Sequence, residues 1–242
     1  MKILYLGYPE NPIHLFLKTK GTVFQTQEKM SFEISQFDWI VSYGYSHIIK
    51  QEIIDKAKNP IINLHISYLP FNRGADPNFW SWFENTPKGV TIHQIDKGID
   101  TGDIFIQKEV YFKGNETLSS SYEMLKKEIE DLFIENFDNI IQGIIFPKKQ
   151  NGKGTFHSKR DLDKYTYLFT QGWNTPVNQI KMTDLEIIDE IEKVRSKNNV
   201  NWMDILRLAF QHAPSEARKI MAKINKDDNR ISELLEQLSN NG

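Results

Sequence analysis

Two short apolar runs restrict this chain more than anything else in it. DWIVSYGY (Asp38–Tyr45) and PIINLHI (Pro60–Ile66) are each bounded by turn residues and too short for an ordinary helix. Strands of that kind are covered on both faces, the condition of a strand inside a parallel sheet with helices above and below. The neighbouring stretches agree. KILYLGY (Lys2–Tyr8) is a third buried strand, and TVFQTQ (Thr22–Gln27) alternates as a more exposed strand does. QEIIDKAK reads as a short helix. ADPNFWSWFEN opens a further one, with Asp76 expected as its N-cap and Pro77 at the first helical position. GVTIHQID and IFIQKEV are two more strands around the turn KGIDTGD. Leu118, Tyr122, Leu125, Ile129, Leu132, Phe133 and Phe137 then recur at helical spacing, ending near Gly143. The expected fold class is α/β, a Rossmann-like, mostly parallel sheet with helices on both faces.

The remainder changes character. Between Lys148 and Lys164 six Lys or Arg stand against two Asp, with Gly152 and Gly154 marking a turn. We expect a hairpin there, over Gln150–Lys159. TDLE (Thr183–Glu186) matches a capping box, Asn201 precedes WMDILRLAF, and Ile231, Leu234, Leu235 and Leu238 form one apolar stripe. The expected organisation is a catalytic domain over 1–147, a hairpin and connection over 148–180, and a small helical appendage over 181–242.

Composition removes several functions. Zero cysteines exclude disulfides, thiolate metal sites and Cys nucleophiles. A net charge of -2 argues against a nucleic-acid partner. No run reaches the roughly 18 apolar residues of a membrane helix, and the opening MKILYLGYPENP reads as a first strand rather than a signal peptide. A cytoplasmic protein without a membrane partner is expected. There is no GxGxxG or GxxxxGK[ST] phosphate loop. The six histidines form no H-x3-H or HExxH pair, so no metal is expected.

One constellation carries chemistry. In NLHISYLPFNRG, Asn63 and His65 lie two apart, so on a strand they share a face. Asp100 lies in GIDTGD, the loop after the strand of His93. Reactive groups of open α/β sheets gather at strand ends. An amide N–H can stabilise an oxyanion, an imidazole can move a proton, and a carboxylate can orient that imidazole. Such a set suits acyl transfer to an amine, although Asn and His at strand ends are also common as structural residues.

NLHISYLPFNRG with Pro77 downstream, followed by GVTIHQIDKGIDTGDI, resembles the formyltransferase family that uses N10-formyltetrahydrofolate. The likeness runs from about Asp38 to Val110. It implies the formyltransferase fold, with Asn63, His65 and Asp100 as catalytic residues and N10-formyltetrahydrofolate as formyl donor. It also implies a folate pocket lined by Tyr43, Gly44, Tyr45, Ile48, Ile95, Asp96 and Asp100. The aromatic stretch after Arg73 and the helical tail look most like the sugar-nucleotide N-formyltransferases. The acceptor expected by resemblance is a nucleotide-linked amino-deoxysugar, such as dTDP-4-amino-4,6-dideoxyglucose, destined for surface polysaccharide. Methionyl-tRNA, glycinamide ribonucleotide and a non-catalytic binding module are the alternatives. Asn72, Arg73, Asp76, His157, Lys159 and Arg160 are the candidates to hold the acceptor, with Arg73 and the basic cluster weighed against ordinary surface pairing. Trp80, Trp82 and Phe83 read as core, His93 as structural. The family likeness further suggests a homodimer.

Overall fold

The computed structural model describes residues 1–30, 33–181 and 204–239, the side chains at 231, 233, 235, 236, 238 and 239 excepted. The chain divides into two compact units, Met1–Lys181 and Met182–Gly242. Residues 148–180, set apart in the sequence as a connection, pack within the first unit.

In that unit β1 (Lys2–Gly7), α1 (Pro12–Lys20), β2 (Thr22–Thr26), β3 (Trp39–Tyr43), α2 (Gln51–Ile54) and β4 (Ile62–His65) follow in order. Then come β5 (Arg73–Gly74), α3 (Pro77–Phe83), β6 (Gly89–Gln94), β7 (Ile104–Glu109), α4 (Leu118–Ile141), β8 (Phe156–His157) and β9 (Thr170–Trp173). The main sheet has the order β2-β1-β3-β4-β6-β7. Strands β2, β1, β3 and β4 are parallel, and β6 and β7 continue the sheet antiparallel.

Alternation along the strands builds two cores. On one face Ile3, Tyr5, Val41, Ile62, Leu64, Val90 and Ile92 meet Ile13 and Leu17 of α1 and Leu125, Ile129, Phe133 and Phe137 of α4. Burying each such side chain contributes roughly 1.5–3 kcal/mol. On the other face Leu4, Leu6, Ile40 and Ile61 pack with Ile34, Phe37 and Ile49. Helix α4 begins at a capping box, with Ser120 N donating to Thr117 Oγ1 at 3.1 Å and Thr117 N to Ser120 Oγ at 2.9 Å. Its buried stripe is the one read from the sequence, except that Tyr122 stays 44% exposed.

Two local expectations change. Asp76 precedes α3 but does not cap it: its backbone is left-handed (φ 52°) and its side chain makes no cap hydrogen bond. Residues 150–159 form no hairpin. Phe156 and His157 instead pair in parallel with Arg73 and Gly74, as a separate two-stranded sheet.

In the second unit residues 204–212 are helical, and α5 spans Pro214–Ser239. The capping box at Thr183–Glu186 and Asn201 lie outside the described residues, as do the side chains of Ile231, Leu235 and Leu238. Leu234 is 46% exposed. Among the described residues no helix is long and apolar enough to cross a membrane.

Candidate active site

Because Ile62 and Leu64 face the α4 core, Asn63 and His65 must face the other way. Asn63 is level with Ser42 of β3 on one side and with His93 of β6 on the other. Asp100 comes from the loop after β6 and, like Asn72 (φ 55°) and Asp76, holds a left-handed backbone at φ 52°. Left-handed non-glycine residues are strained and gather at functional sites. Asp and Asn bear that conformation better than other residues.

The groups converge. Asn63 Nδ2 lies 3.1 Å from His93 Nε2 and donates to Asp100 Oδ1 at 3.3 Å. His65 Nδ1 is 3.7 Å from Asp100 Oδ2, and the Gly74 amide donates to that same oxygen at 2.9 Å. His93 Nε2 is 3.4 Å from Asp100 Oδ1. Carbonyl oxygens only accept, which fixes the tautomers. His93 Nδ1, 2.7 Å from the Gln94 carbonyl, carries a proton, so in the neutral ring Nε2 accepts from Asn63. His65 Nε2, 3.2 Å from the Asn72 carbonyl, carries a proton likewise. The lone pair on His65 Nδ1 is left beside Asp100.

Burial pushes the His65 pKa below its ordinary value, and the Asp100 charge only partly opposes this. Burial alone would raise the Asp100 pKa. With both rings protonated, the charges of His65 and His93, the hydrogen bond that His93 Nε2–H then donates and the Gly74 amide outweigh it, holding the carboxyl well below the usual carboxylate range. The site therefore pairs a neutral imidazole with a fixed carboxylate, so a proton arriving at Nδ1 finds its counter-charge in place.

The predicted folate residues divide by face. Tyr43 follows Ser42, so its ring turns away from Asn63, and its hydroxyl donates to Glu130 of α4 at 3.0 Å. That places the Tyr43 side chain away from the pocket. Tyr45 and Ile95 pack on the Leu4–Ile61 core, the face shared with Asn63 and His65. Gly44 has φ 71°, and on the same loops Ile48 is 76% and Ile99 43% exposed. Asp96 turns inward, its Oδ1 accepting from Gly98 N at 3.0 Å and Thr101 Oγ1 at 2.6 Å.

The predicted acceptor residues also separate. Asn72 is fully buried: its Nδ2 donates to Glu84 Oε2 at 3.1 Å and its Oδ1 accepts from Thr86 Oγ1 at 2.7 Å. It braces the wall behind His65. Arg73 donates to Gln150 at 3.2 and 2.7 Å. His157 stacks on Trp80 at 3.8 Å and lies 2.9 Å from Glu84 Oε1, near enough to pair but off the axis of a good hydrogen bond. Trp80 and Phe83 are core, Trp82 only partly so. Burial raises the pKa of Asp76, opposed by the nearby Lys159 ammonium. Lys159 and Arg160 are exposed. Among the described residues no cluster suited to a metal ion is present.

Sequence reasoning assigned no role here to His93, Gly74 or Gln150. His93 alone left a signal, a polar residue in an apolar strand beside the Asp100 loop.

Residues 10–136 match the family described as Formyl transferase. A methionyl-tRNA formyltransferase of Thermodesulfovibrio yellowstonii is 36% identical over 148 residues, 60% of this chain and 46% of that protein. The chain thus spans about half the length of the curated relatives it matches. Among solved structures, the formyltransferase PseJ from Anoxybacillus kamchatkensis, in complex with UDP-4,6-dideoxy-4-formamido-L-AltNAc and tetrahydrofolate, is 46% identical. It superposes with a TM-score of 0.71, covering 74% of this chain and 97% of that one. The N-formyltransferase from Helicobacter canadensis, in complex with folinic acid and dTDP-3-aminofucose, is 28% identical with a TM-score of 0.50, covering 61% of this chain and 54% of that one.

Proposed function

We infer that this chain, which belongs to the formyl transferase family, moves a formyl group from N10-formyltetrahydrofolate to the amine of a nucleotide-linked amino sugar. The observation that carries the reading is the pairing of His65 with the ionised Asp100 beside the Asn63 amide. When bound, the folate supplies the formyl carbon and a leaving nitrogen. Asn63 directs its amide N–H groups into the site, and the longer one, toward Asp100, is the one to turn to negative charge growing on the formyl oxygen. His65 takes at Nδ1 the proton that the attacking amine sheds, while Asp100 stabilises the imidazolium. His65 then gives that proton to the departing nitrogen. One C–N bond forms, one breaks and one proton moves, so the exchange balances. Gly44, Tyr45, Ile48, Ile95 and the Asp96–Asp100 loop are the residues that would hold the folate.

For the acceptor, 46% identity to PseJ along 97% of that chain favours a UDP-linked 4-amino-4,6-dideoxy sugar over the dTDP-linked one suggested by the sequence. Asp76, Lys159 and Arg160 are the residues proposed to meet the acceptor, supported by the Lys159 ammonium near Asp76. Lys159→Ala or Arg160→Ala should raise the nucleotide-sugar KM by roughly 3–10-fold, the scale of losing one partly exposed phosphate contact, with the folate KM unchanged. An unchanged sugar KM would return these residues to the solvated surface. Bacterial surface polysaccharide is the proposed destination, a homodimer the proposed assembly and the cytoplasm its proposed location. Sedimentation at a single 28.4 kDa mass would remove the dimer.

The test is a formylation assay with N10-formyltetrahydrofolate against UDP- and dTDP-linked amino sugars, glycinamide ribonucleotide and methionyl-tRNA. The methionyl-tRNA arm answers the 36% likeness noted above. Turnover of a nucleotide sugar alone supports the reading; turnover of tRNA alone overturns the acceptor; turnover of none overturns formyl transfer.

A further inference from the structure

Residues 148–157 run as a strap across both loops that carry the site. Lys148 exchanges two backbone hydrogen bonds with Ile104, each 2.8 Å. Thr155 Oγ1 accepts from Asn72 N at 2.8 Å, and the carbonyls of Thr155 and His157 accept from Arg73 N at 3.1 Å and Ala75 N at 2.9 Å. Between these anchors stands Gln150. Its Nε2 donates to the carbonyl oxygens of Asp100 and Gly102, both at 2.8 Å. Its Oε1 accepts from Nε and Nη2 of Arg73 at 3.2 and 2.7 Å. A primary amide has two N–H donors and one oxygen with two lone pairs, so all four positions are used.

We propose that Gln150 is a positioning residue for formyl transfer, clamping the left-handed backbone of Asp100 to Arg73 and so aiming the Asp100 carboxylate at His65. The inference rests on the formyl-transfer reading. Its geometry closes a ring. Arg73 is followed by Gly74, whose amide holds Asp100 Oδ2 at 2.9 Å, and Gln150 returns from Arg73 to the Asp100 carbonyl. One carboxylate is thus gripped at its oxygen and at its own backbone from the same two-residue strand. Gly102, the other carbonyl held, packs so closely that a Cβ there would fall 1.9 Å from the Gln94 carbonyl oxygen. The loop therefore has little room to reach this arrangement in another way. The residue type is demanded by the partners. Glu would set a carboxylate against two carbonyl oxygens, Lys would offer Arg73 no acceptor, and Ala would leave all four groups unpaired.

The full-length wild type, Gln150→Ala and Gln150→Glu are compared in steady-state formylation, and by amide hydrogen exchange of the free proteins. Gln150→Ala should lower kcat by about tenfold or more, the scale of a misaimed catalytic group. The folate KM should rise by a smaller factor than kcat falls, because the loosened loop also borders the proposed folate pocket. Gln150→Glu should lower kcat at least as far as Gln150→Ala, because its carboxylate offers no donor to the two carbonyls. Exchange in the peptide covering 96–104 should rise in Gln150→Ala while that of β1 and β3 holds. A kcat within about twofold of wild type overturns the role whatever exchange does, and so does a loss of kcat accompanied by uniformly faster exchange. Should the wild type formylate no acceptor, the reading of the reaction fails, and selective exchange at 96–104 alone decides the clamp.

Discussion

The loops that leave β3 and β4 begin side by side and are built in opposite ways. After β4 the chain enters a fixed frame. Asn72 is fully buried with its side chain bonded at both ends, Gly74 is spent on Asp100, and Thr155 and His157 take up the backbone donors. After β3 less is fixed, although Ile49 packs in the second core. Tyr45 donates to the Glu28 carbonyl at 2.8 Å, Ile48 is 76% exposed, and α2 has no side-chain cap and no buried residue. The fixed loop grips the proposed reacting groups, His65 through the Asn72 carbonyl and Asp100 through the Gly74 amide, where small displacements are costly. The open loop is the one proposed to hold the folate, and ligand contacts would complete it. Hydrogen bonds are concentrated around the proposed proton-transfer groups and are sparse on the loop proposed to meet the folate.

The strongest way to break this contrast is in the fixed half. His65→Asn and Asp100→Asn should each lower kcat by at least about 10²-fold, the scale of losing a positioned proton-transfer group, with a far smaller change in folate KM. Near-native kcat in either would dissolve the assigned roles. Next comes Asn72→Ala, which removes the hydrogen-bond partner of Glu84 Oε2 and Thr86 Oγ1. It should cost about 1–3 kcal/mol of stability, read as a lower denaturant midpoint; an unchanged midpoint would mean the frame is not held there. In the open half, Ile48→Ser should raise the folate KM by about 3–10-fold, through lost apolar contact. Its kcat and melting temperature should stay as they are, and a drop in melting temperature would show that Ile48 supports the fold instead.

The smallest effect is on stability against pH. Burial lowers the folded-state pKa of His65 below 6.5, so below that pH the unfolded chain binds protons that the native site resists. Stability should be complete above pH 6.5 and decline as pH falls through that window. His14, also lowered by burial, adds to the same decline. His65→Gln should flatten the slope of melting temperature between pH 7 and pH 5 without abolishing it. Asp100 acts lower down: its depressed pKa gives stability that is present above 3.8 and lost only below it. A His65→Gln slope equal to wild type would refute the assignment.

What could be read from the sequence follows the same division. Sheet order aside, the alternating strands and helices, the α4 stripe and the shared face of Asn63 and His65 all rest on short-range periodicity. The same periodicity, carried one residue further, would have turned Tyr43 away from the pocket, since Ser42 stands level with Asn63. The frame was illegible for another reason. His93 meets Asn63 across 30 residues, Gln150 meets Asp100 across 50, and Thr155 meets Asn72 across 83. Separations of that size leave no local pattern. Of the two glycines that suggested a hairpin, Gly154 serves closeness instead, for a Cβ there would fall 2.1 Å from the Pro70 carbonyl oxygen, while Gly152 takes a left-handed φ of 91° in open space.

The pairing of Arg73 and Gly74 with Phe156 and His157 also orders events in time. A ribosome that has released Asn63, His65 and Asp100 has made every reacting group, yet the frame around them waits for residues more than fifty positions past Asp100. Until those emerge, the backbone donors of Arg73 and Ala75 have only water to bond. A fragment cut at the end of the matched family region, residue 136, would hold the three side chains and lack the strap. Anyone grafting this chemistry onto another scaffold must carry the chain through His157, because the smallest portable piece is set by that late strand and not by the last reacting residue.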